Sequence, residues 1–291
     1  MSHHFKPAQT AVMDKYYVLG NPIAHSKSPL IHARFAELTG QSLCYERMLT
    51  PLDGFSATLA QLVRSGARGC NVTVPFKFEA FQAASTHTDR AQLAQAANTL
   101  VLDGSAIHAD NTDGVGLVND IQNNAGVELA GRDVLLIGAG GAGAGVLGPL
   151  LAAGPRRLVL VNRTRARADA LAQFHQSHPS LQRSLQKTEL MTQDIQGLEG
   201  SFDVVINASA SSLAGAGVPV GGRVLKPGAL AYDMMYGPAA AGFMTWARAH
   251  GATPRDGLGM LVEQAAESFA LWRKVRPPSA QVLQEMRVLL G

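Results

Sequence analysis

The run GAGGAGAG at residues 138–145 constrains this chain most, because it stands directly after the apolar segment VLLI and before the helical pattern GVLGPLLAAG. Gly138, Gly140 and Gly143 form a G-x-G-x-x-G arrangement in the strand-to-helix setting that binding of a dinucleotide requires. The first glycine permits a tight turn, the second lets backbone approach a pyrophosphate, and the third lets helix lie close to strand. The helix N-terminus adds N–H donors and a partial positive charge. Residues 134–154 also run 21 positions without a charge, long enough for a bilayer, but seven of them are glycine and one is Pro149. That composition predicts a buried strand, a turn and a helix. A turn serving packing alone is the competing reading; a further apolar strand at 158–161 favours the dinucleotide.

The end of that next strand predicts which dinucleotide. A fold that prefers NAD carries Asp or Glu there to bond the ribose 2′-hydroxyl. This chain has Asn162-Arg163-Thr164-Arg165-Ala166-Arg167 instead. With no carboxylate to repel a phosphate and guanidinium forks within reach, NADP is the better match. Arg163 and Arg167, four apart, are expected on one helix face, with Arg165 elsewhere.

Around this loop, short apolar runs alternate with amphipathic stretches of about ten residues, the pattern of βα units on parallel sheets. Strands are predicted at 16–19, 44–49, 69–74, 99–102, 106–109, 134–137, 158–161, 204–207 and 230–233. Helices are predicted at 29–38, 55–64, 89–97, 113–123, 141–153, 165–174, 242–250, 260–274 and 280–290, with Ser279 as N-cap of the last after Pro277-Pro278. A length of 291 residues suggests two domains. Charged residues make up 16% and hydrophobic ones 46%, which excludes a chain kept disordered by charge. A net charge of +3 without any basic block gives no reason to expect nucleic acid. Cys44 and Cys70 fit neither a CxxC motif nor a disulfide framework and are expected as buried free thiols in a reducing cytosol. The first 15 residues lack a signal-peptide core and are expected as a short disordered lead. No His/Cys/carboxylate spacing, the pair His3-His4 included, argues for a metal. Histidines other than His25, among them His87 and His108, are expected on the surface or in loops.

Three segments place small polar residues at predicted strand ends: GNPIAHSKSPLIH at 20–32, NVTVPFK at 71–77, and AANTL with HADNTDGVG between 96 and 116. In open α/β sheets that edge is where ligands bind, so hydroxyls, amides and a lysine converging there suggest a polyhydroxylated substrate. Ordinary turn and capping chemistry accounts for the same residues equally well.

From about residue 17 to 290 the chain resembles the shikimate dehydrogenases. GNPIAHSKSP, NVTVPFK, NTL then DNTDG, the GAGGAG loop, the NRT turn, YDMMY and DGLGMLVEQAA stand in the family's order and at its spacings. The resemblance implies an α/β protein with an N-terminal substrate domain, a Rossmann-like NADP domain and a cleft between them. It divides the chain into 1–112 for the substrate domain, 113–252 for the NADP domain, and 253–291 for terminal helices returning to the substrate domain. The implied activity is reversible, NADP-dependent reduction of 3-dehydroshikimate to shikimate in aromatic amino-acid biosynthesis. Lys77 and Asp113 match the catalytic pair. Ser26 and Ser28 match contacts to the substrate carboxylate, Thr73, Asn98 and Gln264 match positions bonding hydroxyls or carboxylate, and Tyr236 matches a residue lining the site. Gly138, Gly140, Gly141 and Ala142 match the phosphate loop; Asn162, Arg163, Thr164 and Arg167 match the 2′-phosphate grip; Gly257 and Met260 match contacts near the nicotinamide.

Three departures stand out: the N-terminal lead, Ala109 in place of a common glycine, and NASASS at 207–212 where the family often has NATSSG. The last bears on the outer cofactor contacts. Hydride reduction of a ketone needs a proton donor at the carbonyl oxygen, and the reverse needs an acceptor there. Lys77 supplies the first as ammonium and the second as amine, with Asp113 orienting both it and the reacting hydroxyl, while His25 shapes the SKS loop. The implied enzyme takes a small-molecule substrate, has no nucleic-acid or membrane partner, works as monomer or homodimer, and is cytoplasmic. Alternatives are a quinate/shikimate dehydrogenase with relaxed NAD/NADP use, and a catalytically silent NADP-binding sensor.

Overall fold

A computed structural model describes residues 13–209 and 217–290. The leading residues, His3 and His4 with them, and positions 210–212 of NASASS lie outside the described residues. The first part of the chain runs β1 (Asp14–Gly20), α1 (Ser28–Thr39), β2 (Leu43–Leu49), α2 (Phe55–Arg64), β3 (Gly69–Val72), α3 (Lys77–Ala83), β4 (Thr86–His87), α4 (Asp89–Ala94), β5 (Thr99–Asp103) and β6 (Ala106–Asp110). These strands make one six-stranded sheet in the order β2-β1-β3-β5-β6-β4. It is mixed and not wholly parallel: β5 runs antiparallel to β3 and β6, because a short turn joins β5 to β6 whereas parallel neighbours need a crossover.

The second part runs α5 (Asp113–Asn119), continued by a π-helical turn over Asp120–Asn124, then β7 (Asp133–Ile137), α6 (Gly141–Ala152), β8 (Arg157–Val161), α7 (Arg165–Ser177), α8 (Gln182–Leu185), β9 (Glu189–Gln193), β10 (Phe202–Asn207), β11 (Leu225–Asp233), α9 (Ala241–Ala249) and β12 (Thr253–Arg255). All six strands are parallel in the order β12-β11-β10-β7-β8-β9, the doubly wound arrangement in which strand order reverses between β7 and β10. The glycine loop leaves β7 at that switch point. Residues 134–154 are thus strand, loop and helix, and no helix among the described residues is long and apolar enough to cross a membrane.

The chain ends in α10 (Leu258–Arg273) and α11 (Ser279–Leu290). One apolar cluster joins Ile31 and Phe35 of α1, Val262 and Phe269 of α10, and Val282 and Met286 of α11. Helix α10 also lies along α5. Gly116 makes that approach possible, since a Cβ there would fall 2.7 Å from the Gln264 amide nitrogen. On its other side α5 meets α6, where a Cβ on Gly114 would fall 2.5 Å from Pro149 Cγ. Asp113 therefore starts a helix clamped between two others.

Several elements escape the periodicity. β4 is two residues long, β9 and β12 are short edge strands, and β12 contains Pro254, which only an edge tolerates. Ser279 is the first helical residue and not the N-cap. Cys70 is fully buried, but Cys44 is only partly so. His32 and His175 correct the expectation for histidines, since both are completely buried. The His32 ring stacks on Tyr45 at 4.1 Å within a cage that includes Phe35, Phe269 and Trp272, and neither ring nitrogen makes a hydrogen bond.

Burial disfavours the charged ring and lowers the pKa to about 3 for His32 and about 4 for His175. In the unfolded chain both take up a proton below about pH 6.5. Their depressed folded values leave stability intact above pH 6.5 and erode it as pH falls below, by up to about 1.4 kcal/mol per unit per ring. Urea unfolding at pH 7 and pH 5 is expected to show this loss, and His32→Leu to remove about half of the two-ring contribution. An unchanged pH dependence in His32→Leu would assign the acid sensitivity to other groups.

Candidate active site

The ends of β1, β3 and β6 and the start of α5 converge on one cleft. After β1, the Asn21 amide donates to the Val74 carbonyl, and the Thr73 amide donates to Leu19, so the SKS loop and the NVTVPFK segment are laid side by side. Lys77 opens α3, and its Nζ donates to Asp113 Oδ2 at 2.6 Å. Asn98 Nδ2 approaches the other Asp113 oxygen at 2.8 Å, Thr112 Oγ1 at 3.0 Å and Gln264 Oε1 at 3.2 Å. The Asp113 amide donates to Asn111 Oδ1, which completes the turn into α5. Both oxygens of Asp113 are thereby aimed, one at the lysine and one at the amide.

The cleft encloses about 680 Å³, a volume ordinary for a small-molecule site. Its lining includes Ser26, Ser28, Thr73, Lys77, Asn98, Asp113, Tyr236 and Gln264, and, on the side of the glycine loop, Gly141, Ala142, Gly257 and Met260. Lys27 stands with Lys77 against the single carboxylate of Asp113 in that lining, so the charge balance suits an anionic ligand. Burial raises the Tyr236 phenol above its ordinary value and keeps it a neutral hydroxyl.

The remaining expected positions sit outside the cleft lining, around the glycine loop. Gly138 has φ +112, and a Cβ on it would crowd the Ala208–Ser209 backbone at 3.0 Å. A Cβ on Gly143 would fall 2.0 Å from the Gly138 carbonyl oxygen, while at Gly140 it would meet nothing within 4 Å. Helix and strand are thus tightly apposed, with open space over the loop for a bulky anion at the N-terminus of the 12-residue α6. Asn162 ties this loop to the next turn: its Oδ1 accepts from the Ala139 amide and its Nδ2 donates to the Thr164 carbonyl. Thr164 is the residue before α7, so Arg163 precedes the helix and the four-residue spacing to Arg167 does not by itself set a shared face. Arg165 pairs with Asp169 at 3.5 Å, whereas exposed Arg163 and Arg167 make no ion pair among the described residues. The donor set fits a 2′-phosphate.

The residue-level reading missed the polar network behind Asn98. Asn98 Oδ1 accepts from the Thr112 amide at 2.8 Å and the Thr99 hydroxyl at 3.0 Å. Ser268 Oγ lies 2.8 Å from Thr99 Oγ1 and accepts from Asn71 Nδ2, while Asn71 Oδ1 accepts from the Tyr45 hydroxyl. Asn71, Thr99, Thr112 and Ser268 are all buried. One signal for Ser268 was present: it stands four residues after Gln264 on an otherwise apolar helix face, and so must find a partner inward. Among the described residues no three His, Cys, Asp or Glu side chains cluster to hold a metal ion.

Three family models match the chain: "Shikimate dehydrogenase substrate binding domain" over residues 18–100, "Shikimate / quinate 5-dehydrogenase" over 120–214, and "Shikimate 5'-dehydrogenase C-terminal domain" over 257–287. A protein of Acidovorax sp. named Shikimate dehydrogenase (NADP(+)) is 66% identical over 282 residues, covering 97% of this chain and 99% of the relative. One of the same name from Verminephrobacter eiseniae is 64% identical over 96% of this chain and 95% of its own length. The crystal structure of shikimate 5-dehydrogenase from Thermus thermophilus in complex with NADP(H) and shikimate superposes with a TM-score of 0.82 at 30% identity, covering 96% of this chain and all of that one.

Proposed function

The chain belongs to the shikimate dehydrogenase family, and from that premise we propose that its cleft carries out the NADP-dependent, reversible reduction of 3-dehydroshikimate to shikimate. The observation that carries the reading is the Lys77–Asp113 contact at 2.6 Å in the cleft beside Gly141 and Ala142. NADPH supplies the hydride when bound. Lys77, as ammonium, gives its proton to the carbonyl oxygen as that oxygen gains charge; in the reverse direction the amine takes the proton of the hydroxyl. Asp113 holds the Nζ at the reacting position, and Asn98 fixes the carboxylate from behind. Ser26 and Ser28 bond the substrate carboxylate, Thr73, Asn98 and Gln264 its hydroxyls or carboxylate, and Tyr236 lines the site. Gly138, Gly140, Gly141 and Ala142 hold the diphosphate, Asn162, Arg163, Thr164 and Arg167 the 2′-phosphate, and Gly257 and Met260 the nicotinamide end.

The division into 1–112, 113–252 and 253–291 goes with this reading; its support is the separate sheets and the packing of α10 and α11 on α1. A cytoplasmic enzyme working as monomer or homodimer is part of the proposal, supported in location by two free cysteines among the described residues.

A four-way assay of shikimate and quinate with NADP and NAD tests the assignment. The largest kcat/KM is expected for shikimate with NADP; a larger value for quinate with NAD would favour the broader dehydrogenase, and absence of turnover with all four pairs a binding protein. Arg163→Ala and Arg167→Ala are each expected to raise KM for NADP about tenfold, the scale of one charged hydrogen bond, and to leave KM for NAD within twofold. Equal effects on both cofactors would remove these arginines from the 2′-phosphate grip.

A further inference from the structure

Arg47 belongs to no segment of the family's motif set, yet its guanidinium is directed at the loop that carries the two serines. Its Nε and Nη2 both donate to the Ser26 carbonyl, at 2.9 and 2.7 Å. It comes from β2, the sheet's edge strand, where alternation puts Tyr45 and Arg47 on the same face. Tyr45 uses that face to stack on His32 of α1, so Arg47, two residues on, meets the chain just before α1 begins. The loop is anchored at its start, where the Asn21 amide donates to the Val74 carbonyl and Asn21 Nδ2 donates to the Thr50 carbonyl, and at its end by α1. Its internal bonds are the Ser26 amide to the Ile23 carbonyl at 3.1 Å and the Ser28 amide to Ser26 Oγ at 3.3 Å. Among the described residues, Arg47 makes the only hydrogen bonds that tie Ser26 to another element. Lys27 of the same loop lines the cleft, and Arg47 adds a second positive charge at the Ser26 backbone.

We propose that Arg47 is a positioning residue for the carboxylate subsite: it fixes the Ser26 carbonyl, thereby sets the hydroxyls of Ser26 and Ser28, and biases the cleft toward acidic polyols over neutral ones. The inference rests on the assignment of a carboxylate-bearing substrate to this cleft. Arg47 is exposed and packs under no core, so its replacement leaves folding intact. Its hydrogen bonds reach the Ser26 carbonyl and neither the Lys77–Asp113 pair nor the glycine loop, so substrate binding changes while these do not.

Steady-state kinetics of the full chain, Arg47→Ala and Arg47→Lys with shikimate and NADP read this directly. Arg47→Ala is expected to raise KM for shikimate about tenfold, the scale of a lost charged hydrogen bond, with kcat and KM for NADP within twofold. Arg47→Lys recovers part of that increase, and added salt weakens shikimate binding more in the unsubstituted enzyme than in Arg47→Ala. A KM for shikimate within twofold of the unsubstituted enzyme, or an equal rise in KM for NADP, overturns the inference alone. An unsubstituted enzyme that neither turns over nor binds shikimate by calorimetry overturns the substrate assignment and this inference with it.

Discussion

Lys77→Ala is expected to lower kcat for shikimate oxidation by about 10²- to 10⁴-fold, the usual contribution of a positioned acid/base. The lysine is the only side-chain amine that reaches Asp113 among the described residues, at 2.6 Å, and the one histidine in the cleft lining, exposed His25, makes no hydrogen bond to Asp113. Substrate and cofactor keep their other contacts, so KM for NADP should move little. The lysine is about a quarter exposed, and its removal frees Asp113 to take water, so the fold should tolerate the change. Asp113→Asn can keep an oxygen as acceptor for Asn98 Nδ2, but it then turns an NH₂ group toward the Lys77 ammonium and loses the ion pair. It should lose less than Lys77→Ala, and the double variant should be no worse than Lys77→Ala, as expected for residues acting as one unit. A fall in kcat of less than tenfold in Lys77→Ala excludes it as the acid/base.

The second large effect concerns stability. Asp120→Ala is expected to destabilise the fold by about 3–5 kcal/mol, the usual consequence of removing one partner of a buried pair. Asp120 is fully buried where α5 passes into its π-helical turn. Its Oδ2 accepts from the Tyr232 hydroxyl at 2.7 Å and Arg255 Nε at 2.8 Å, and its Oδ1 accepts from Arg255 Nη2 and from Asn124. Gly259 leaves the room this needs, since a Cβ there would fall 1.9 Å from Asp120 Oδ1. The alanine variant strands a guanidinium and a buried phenol. Chemical unfolding measures the loss, and Asp120→Ala combined with Arg255→Ala should cost less than the sum of the two. A change below about 1 kcal/mol in Asp120→Ala would show that solvent reaches Arg255 and satisfies it.

Much of the site was legible because it is local chemistry. The glycine loop is marked by close backbone approaches that permit no side chain, and the strand before it and the helix after it follow from periodicity. The family's motifs named Lys77, Asp113, Asn98 and Gln264 individually. The mixed first sheet was not legible, because the direction of a short strand depends on its connection and neighbours. Nor were His32 and His175, since a polar residue on an apolar face gives no sign of how completely it is enclosed.

The sequence by itself determined the βα alternation, the dinucleotide loop, the want of a carboxylate after β8, and the residue types available for acid/base work, all of which depend on neighbours within a few positions. Only the tertiary structure decided which of them meet: Lys77 with Asp113 across 36 positions, Asn98 with Gln264 across 166, Asp120 with Arg255, and Arg47 with the carbonyl of Ser26. The physical reason is that a side-chain contact spans a few ångströms, and how far apart two residues come to lie is set by strand order and helix packing, which no local pattern encodes.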